Sequence, residues 1–107
     1  MNDSVGLVGK NVEVSGEINF EGTLRIEGKV KGFIHGNTGT VSIGSSGSVK
    51  GDISADICIV DGLLEGDLTA MTRVEITRTG QVEGNVTTKE LIIAEGAVLA
   101  GNLVMSK

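Results

Sequence analysis

Apolar and polar residues alternate along the whole chain, and one alternating pattern recurs six times. Each copy reads aliphatic, any residue, Gly, any residue, aliphatic, and the copies occupy residues 14–18, 30–34, 49–53, 64–68, 82–86 and 99–103. The glycines at 16, 32, 51, 66, 84 and 101 give a mean period of 17 residues. A period of this length is typical of a repeat architecture, in which small structural units stack on one another.

A second pattern, aliphatic, any residue, Ile, lies between these copies at residues 24–26, 41–43, 57–59, 74–76 and 91–93. Alternation with period two predicts short strands, because successive strand side chains point to opposite faces. Strands this short cannot bury an apolar side alone, so parallel stacking around a shared aliphatic interior is expected. The sequence therefore predicts an all-β fold, a parallel β-solenoid of about six windings of ~17 residues, with almost no helix.

The register of the second pattern assigns each side chain to the interior or the exterior. The inward set is predicted to be Leu24, Ile26, Val41, Ile43, Ile57, Ile59, Val74, Ile76, Leu91 and Ile93. The outward set is Arg25, Ser42, Cys58, Glu75 and Ile92. A second outward column, with an acid-base-acid ladder at its end, is expected at Thr23, Thr40, Asp56, Arg73 and Glu90. The repeat glycines are predicted at corners, and corners of variable length, such as 44–47 and 61–62, explain the spread of the period.

The composition argues against several function classes. The 107 residues carry nine Lys and Arg, fourteen Asp and Glu, a net charge of -5 and two Phe as the only aromatics. No nucleic-acid partner is therefore expected, since both a basic patch and a base-stacking platform are missing. The single cysteine, Cys58, leaves no internal disulfide and no cysteine-based metal site. The first residues do not resemble a signal peptide, so we expect one soluble, intracellular domain.

No residue set predicts an active site, a cofactor or a metal. His35, the only histidine, is expected at the surface or in a turn, and Cys58 has no neighbouring base to activate it. Residues 44–48 resemble a phosphate loop in composition alone, because the Gly-Lys-Ser/Thr ending and the following helix are missing. Asp52 and Asp67 are expected on a solvated edge. A hexapeptide-type acyltransferase is a weaker alternative, since the chain keeps that six-residue spacing only briefly.

The two ends of the predicted solenoid suggest self-assembly. A stack of strands ends in unpaired backbone groups and an open apolar cross-section, and soluble repeat proteins cover both with capping elements. No such cap is evident, so end-to-end contacts that build a filament are expected. The alternative is a non-polymerising solenoid that binds another partner. The candidate polymer-interface residues are Val5, Leu7 and Val8 at one end and Leu103, Val104 and Met105 at the other.

Residues 20–32, which open with Phe-Glu-Gly, and residues 49–53 resemble the core domain of the bactofilins, and the resemblance extends over about residues 8–103. It implies a right-handed, three-sided parallel β-helix at 8–104, with a short tail at 1–7 and a C-terminal end at 105–107. It also implies a bacterial cytoskeletal protein whose partner is itself, assembling end to end without nucleotide into non-polar filaments.

In that family the filaments scaffold cell-shape, cell-wall or motility proteins, which implies a cytoplasmic, cytoskeletal location. Many members also carry Pro-rich tails and an apolar or basic N-terminal peptide that binds membrane. This chain has no proline, and Val5, Leu7 and Val8 are the only apolar residues between Met1 and the first winding. Direct membrane attachment is therefore not expected.

Overall fold

The computed structural model describes residues 5–105, apart from the side chains at 5, 6, 37 and 38, and this part of the chain contains strands and no helix. The eleven strands are β1 (Val5–Val8), β2 (Glu13–Asn19), β3 (Thr23–Ile26), β4 (Lys29–Ile43), β5 (Ser48–Val60), β6 (Leu63–Glu65), β7 (Leu68–Ile76), β8 (Gln81–Glu83), β9 (Val86–Ile93), β10 (Val98–Ala100) and β11 (Leu103–Met105). The prediction of an all-β fold is confirmed.

All strand pairings are parallel, and each strand pairs with the equivalent segment one winding away. The pairings define three faces on a solenoid of about 6 turns. Face A contains residues 5–8, 23–26, 40–43, 57–60, 73–76 and 90–93. Face B contains 13–15, 29–31, 48–50, 63–65, 81–83 and 98–100. Face C contains 17–19, 33–36, 52–55, 68–70, 86–88 and 103–105. We number the windings as coils 1 to 6, each running through faces A, B and C.

The core is a set of aliphatic columns that run through the stack. On face A, Ile26, Ile43, Val60 and Ile76 lie one above another, and each side chain is 0% exposed. Faces B and C contribute similar columns, for example Val49 and Leu64 on face B. Each such side chain contributes roughly 1.5–3 kcal/mol by its removal from water, so the interior coils are held mainly by these columns.

The predicted register is wrong in coil 4. Cys58 pairs with Val41 and Val74 in an inward column and is fully buried, whereas Ile57 and Ile59 point outward and are half-buried. The corner between face C of coil 3 and face A of coil 4 is a single residue, because the strand pairing passes directly from Ala55 to Ile57. The shorter corner shifts the four apolar residues 57–60 by one position relative to the prediction, and a shift of one residue exchanges the two faces.

The same shift changes the predicted outward column. Ile57, and not Asp56, lies between Thr40 and Arg73, so the ladder contains Arg73 and Glu90 but no acid before them. Asp56 lies at the corner instead, where its carboxylate accepts a hydrogen bond from the Thr72 hydroxyl. The remaining inward assignments, including Val74 and Ile76, are confirmed by the register.

The repeat glycines lie at corners between faces B and C, as predicted. Gly51 has φ +136°, a conformation that side chains rarely adopt, and a Cβ at this position would lie 1.8 Å from the carbonyl oxygen of Gly32 in the coil before. The obstacle is therefore the neighbouring backbone, which the corner approaches closely, and not the apolar interior. Length variation between faces A and B is also confirmed, since residues 44–47 connect them in coil 3 and residues 61–62 in coil 4.

Candidate functional site: the two ends of the solenoid

The C-terminal end presents an apolar cross-section. Its inward side chains occupy the same columns as buried residues of coil 5, but no further coil of this chain covers them. Ile93 shares a column with Ile76, yet it is 46% exposed where Ile76 is 0% exposed. We call this the C-end surface, and its inward side chains are Leu91, Ile93, Leu99, Leu103 and Met105.

The C-end surface also presents open strand edges. Residues 90–93, 98–100 and 103–105 pair with coil 5 on one side, and within residues 5–105 no strand pairs with them on the other side. Unpaired N–H and C=O groups of this kind are a template for further strand pairing. The C-end surface thus presents both apolar side chains and unpaired backbone hydrogen-bonding groups to solvent.

The N-terminal end is built in the same way but is better covered. Val14 and Ile18 on β2 are inward and partly buried, and Val8 on β1 is 7% exposed. Phe20 follows β2, and its ring lies against the corner where a Cβ on Gly36 would meet it at 2.2 Å. Together with the outer edges of β1 and β2, these four side chains form what we call the N-end surface. These four residues are buried or half-buried, whereas Ile93, Leu103 and Met105 at the C-end surface are 41% to 51% exposed.

The six sequence-predicted interface residues fall in different places. Leu103 and Met105 belong to the C-end surface and are 41% and 51% exposed. Val104 points outward on face C, and Leu7 points outward on face A, paired with Arg25. Val8 is inward at the N-end surface and nearly buried by Ile26 in the adjacent coil. The side chain of Val5 lies outside the described residues.

Five other aliphatic residues of the two end surfaces lie outside the sequence-predicted set. These are Val14 and Ile18 at the N-end surface and Leu91, Ile93 and Leu99 at the C-end surface. The signal was present, because these residues belong to the first and last copies of the two repeat patterns. In a stack without caps, the inward residues of terminal copies are also the residues of its end surfaces.

The residues considered for chemistry are dispersed. His35 lies on an outward position of face C with its side chain 44% exposed, 3.7 Å from the Glu17 carboxylate and stacked near the ring of Phe33 at 6.3 Å. This agrees with the surface position predicted for it. Cys58 is buried, contrary to its predicted outward position, and burial raises the pKa of its thiol to about 12. A thiol held in this state is protonated and unreactive at neutral pH.

Residues 44–48 and the two aspartates also have structural roles. The Gly47 N–H donates to the Gly44 carbonyl at 2.8 Å, which closes a turn between faces A and B. Asp52 accepts a hydrogen bond from the Asp67 backbone N–H at 3.3 Å, and both residues are exposed. Among residues 5–105, no three His, Cys, Asp or Glu residues are grouped so that they could hold a metal ion. In the same part of the chain, no helix is long and apolar enough to span a membrane.

Comparison with known proteins identifies the family. The bactofilin family, described as polymer-forming cytoskeletal, matches residues 6–104. The chain belongs to the bactofilin family. The predicted resemblance is therefore confirmed, and the family is a structural, cytoskeletal one.

Two curated bactofilins of Myxococcus xanthus (strain DK1622), BacP and BacO, are each 30% identical to this bactofilin over 99 residues, or 92% of its length. The match covers 41% of BacP and 78% of BacO, so this chain spans less than half the length of BacP. Its fold also matches a structure described as a cryo-EM reconstruction of Thermus thermophilus bactofilin double helical filaments, with a TM-score of 0.88 and 27% identity. That match covers 94% of this chain and 99% of the Thermus chain.

Proposed function

We propose that this bactofilin is a cytoskeletal scaffold that polymerises with itself, end to end, through the C-end and N-end surfaces. The C-end surface carries the proposal, because it combines five inward apolar side chains with open strand edges in one plane. A second chain seated on it would supply the coil that Ile93 and Leu103 lack. The proposal also places the filament in the cytoplasm and assigns it cell-shape, cell-wall or motility proteins as clients, as the family resemblance suggests.

The two end surfaces differ, so the polarity of the filament depends on which surfaces meet. Like-with-like contacts, C-end to C-end and N-end to N-end, give a filament without polarity in which every contact has two-fold symmetry. Head-to-tail contacts give a polar filament. We favour the non-polar arrangement on the family resemblance.

Blocking one end separates these arrangements. The variant Leu103→Lys with Met105→Glu places two charges on the C-end surface at positions that are already about half exposed, so the fold should survive. In a non-polar filament this variant stops at dimers joined by the N-end surface, whereas in a polar filament it is monomeric. Multi-angle light scattering measures the mass directly.

The control is Val104→Lys, because Val104 lies between the two changed residues but points outward on face C. It should still form filaments. A folded end-blocked variant that polymerises like the original protein would contradict the proposed contact surface. Blocking the N-end surface as well, with Val14→Glu and Ile18→Lys, should leave monomers.

Assembly is proposed to require neither nucleotide nor metal, since apolar contact and strand pairing suffice to drive it. Filament yield, measured by pelleting and negative-stain electron microscopy, should be unchanged by apyrase or by a chelator. A yield that falls with either treatment would contradict this part of the proposal. We also infer that the chain is not an enzyme, and the proposal assigns no catalytic role to His35 or Cys58.

A further inference from the structure

Face B carries an unusual order of charge along the solenoid axis. One of its two outward columns reads Ser15, Lys31, Lys50, Glu65, Glu83 and Ala100 from coil 1 to coil 6. Lys31, Lys50 and Glu83 are exposed, and Glu65 is half exposed. The two cations therefore lie in the N-terminal half of the face and the two anions in the C-terminal half.

This order is a poor way to stabilise a single chain. Neighbouring positions in a column are about 4.8 Å apart, and like charges placed side by side are destabilising. Of the three neighbouring charge pairs, only Lys50 and Glu65 attract, and their side chains are 3.9 Å apart. An alternating order would make all three pairs attractive, so attraction within one chain gives no reason for the observed order.

A second copy of the chain supplies that reason. A two-fold axis parallel to the strands, between coil 3 and coil 4, brings face B against face B with the solenoid axes antiparallel. Lys31 then faces the partner subunit's Glu83, and Lys50 faces the partner subunit's Glu65. Because the axis is two-fold, each pair occurs twice, and four ion pairs form in one column.

The second outward column of face B is compatible with the same arrangement. It reads Glu13, Lys29, Ser48, Leu63, Gln81 and Val98. The two-fold axis brings Lys29 to the partner's Gln81 and Ser48 to the partner's Leu63, so no like charges meet. A parallel pair of chains would instead bring the lysines of both chains to the same level, which charge repulsion opposes.

We propose that face B is a lateral contact between antiparallel copies of this chain, held by the column Lys31, Lys50, Glu65 and Glu83. The face is small, about 24 Å by 10 Å from the strand spacings, well below the ~800 Å² per partner of a stable interface. A single lateral contact is therefore weak. Filaments that repeat it along their length become strongly paired, because each contact holds the next within reach.

Charge reversal tests the contact. Lys31→Glu with Lys50→Glu makes the column entirely acidic, and we expect filaments that are single where those of the original protein are paired. Adding Glu65→Lys and Glu83→Lys reverses the whole column and restores complementarity, so pairing should return. The control, Arg25→Glu with Lys89→Glu, makes the same change in net charge outside the face B columns, since Arg25 lies on face A, and should leave pairing intact. Negative-stain microscopy counts paired and single filaments.

Salt provides a second test on the original protein. At ~1 M ionic strength the Debye length is about 3 Å, so exposed ion pairs are screened while apolar end contacts persist. Filaments should separate into single strands without shortening. Paired filaments of the entirely acidic variant, or a fully reversed variant that stays single, would overturn the proposal.

Zero-length carbodiimide cross-linking tests the contact even if filaments do not form. Lys31 and Glu83 are three coils apart within one chain, about 14 Å, too far for a direct amide bond. The reaction is run at low salt and ~1 mM protein, a concentration at which even a contact with a Kd of about 1 mM is half occupied. In mixed ¹⁴N- and ¹⁵N-labelled protein, a Lys31–Glu83 amide detected by mass spectrometry as a cross-isotope peptide pair therefore reports the lateral contact. Its absence would refute the lateral contact, while loss of filaments with this amide retained would refute only the end-to-end proposal.

Discussion

The register of coil 4 can be tested by placing an acid on either face of the same strand. Val60 is 0% exposed in the inward column of face A, and Ile59 next to it points outward between Ser42 and Glu75. Val60→Asp and Ile59→Asp introduce the same side chain one residue apart. Their difference in unfolding free energy therefore reports which of the two residues faces the core.

The expected difference is large. Val60→Asp loses about 1.5–3 kcal/mol of apolar burial and leaves an uncompensated buried charge worth about 3–5 kcal/mol, or roughly 5–8 kcal/mol together. This is comparable to the whole stability of a typical domain, about 5–15 kcal/mol, so the variant should be unfolded or nearly so. Ile59→Asp should cost about 1 kcal/mol, from lost partial burial and repulsion by Glu75.

Urea unfolding followed by circular dichroism gives both values, in the end-blocked background so that assembly does not add to stability. Val60→Asn is the matched control, since it has nearly the size and polarity of Asp without the charge. The buried acid has its pKa raised in the folded state, so the charge part of the deficit grows as pH rises above about 4 and disappears below it. Equal effects at positions 59 and 60, or a larger effect at 59, would refute the register.

Three further predictions concern the corner glycines and the buried thiol. Gly16 and Gly51 both have positive φ, but a Cβ at Gly16 has nothing within 4 Å; Gly16→Ala should therefore cost about 1–3 kcal/mol of strain, and Gly51→Ala at least about 2 kcal/mol more by urea unfolding. Cys58 should resist iodoacetamide in the folded protein at about pH 8 and react on unfolding. Because burial raises its pKa from 9.0 to about 12, stability should fall as pH rises through that interval, and Cys58→Ala should lack this component.

The sequence predicts the architecture because every coil contains a copy of the repeat. Inward columns such as Ile26, Ile43 and Ile76 follow from period-two alternation with constant spacing. The predicted register is wrong in coil 4 because residues 57–60 are all apolar, so either alternate pair of them could face the interior. The missed signal is the corner, where Ile26 and Val30 flank Glu27 and Gly28 with the same spacing as Val60 and Leu64 flank Asp61 and Gly62.

Close packing at that corner determines which of the residues 57–60 face the interior. A Cβ on Gly62 would lie 2.3 Å from the carbonyl oxygen of Gly44, so the tight two-residue turn needs glycine at this position. With the glycine placed, Val60 must be the last inward residue before the turn. The end surfaces were harder to predict, because candidates taken from the chain ends include outward residues. Leu7 precedes the inward Val8 by one residue and so points outward.

The end surfaces set a requirement on how filaments form. Association of two proteins costs an estimated 4 kcal/mol or more in lost translational and rotational freedom. Completing the burial of the half-buried C-end side chains returns about 1 kcal/mol apiece, roughly 10 kcal/mol when both subunits of a C-end to C-end contact are counted, which lies within the range of about 4–15 kcal/mol for that cost. Strand pairing across the contact must therefore contribute, at about 0.5–1.5 kcal/mol for each hydrogen bond. Hydrogen bonds need alignment while apolar contacts tolerate displacement, so a subunit that only adheres should dissociate quickly. Only a subunit whose edge strands pair in register with those of the C-end surface should remain.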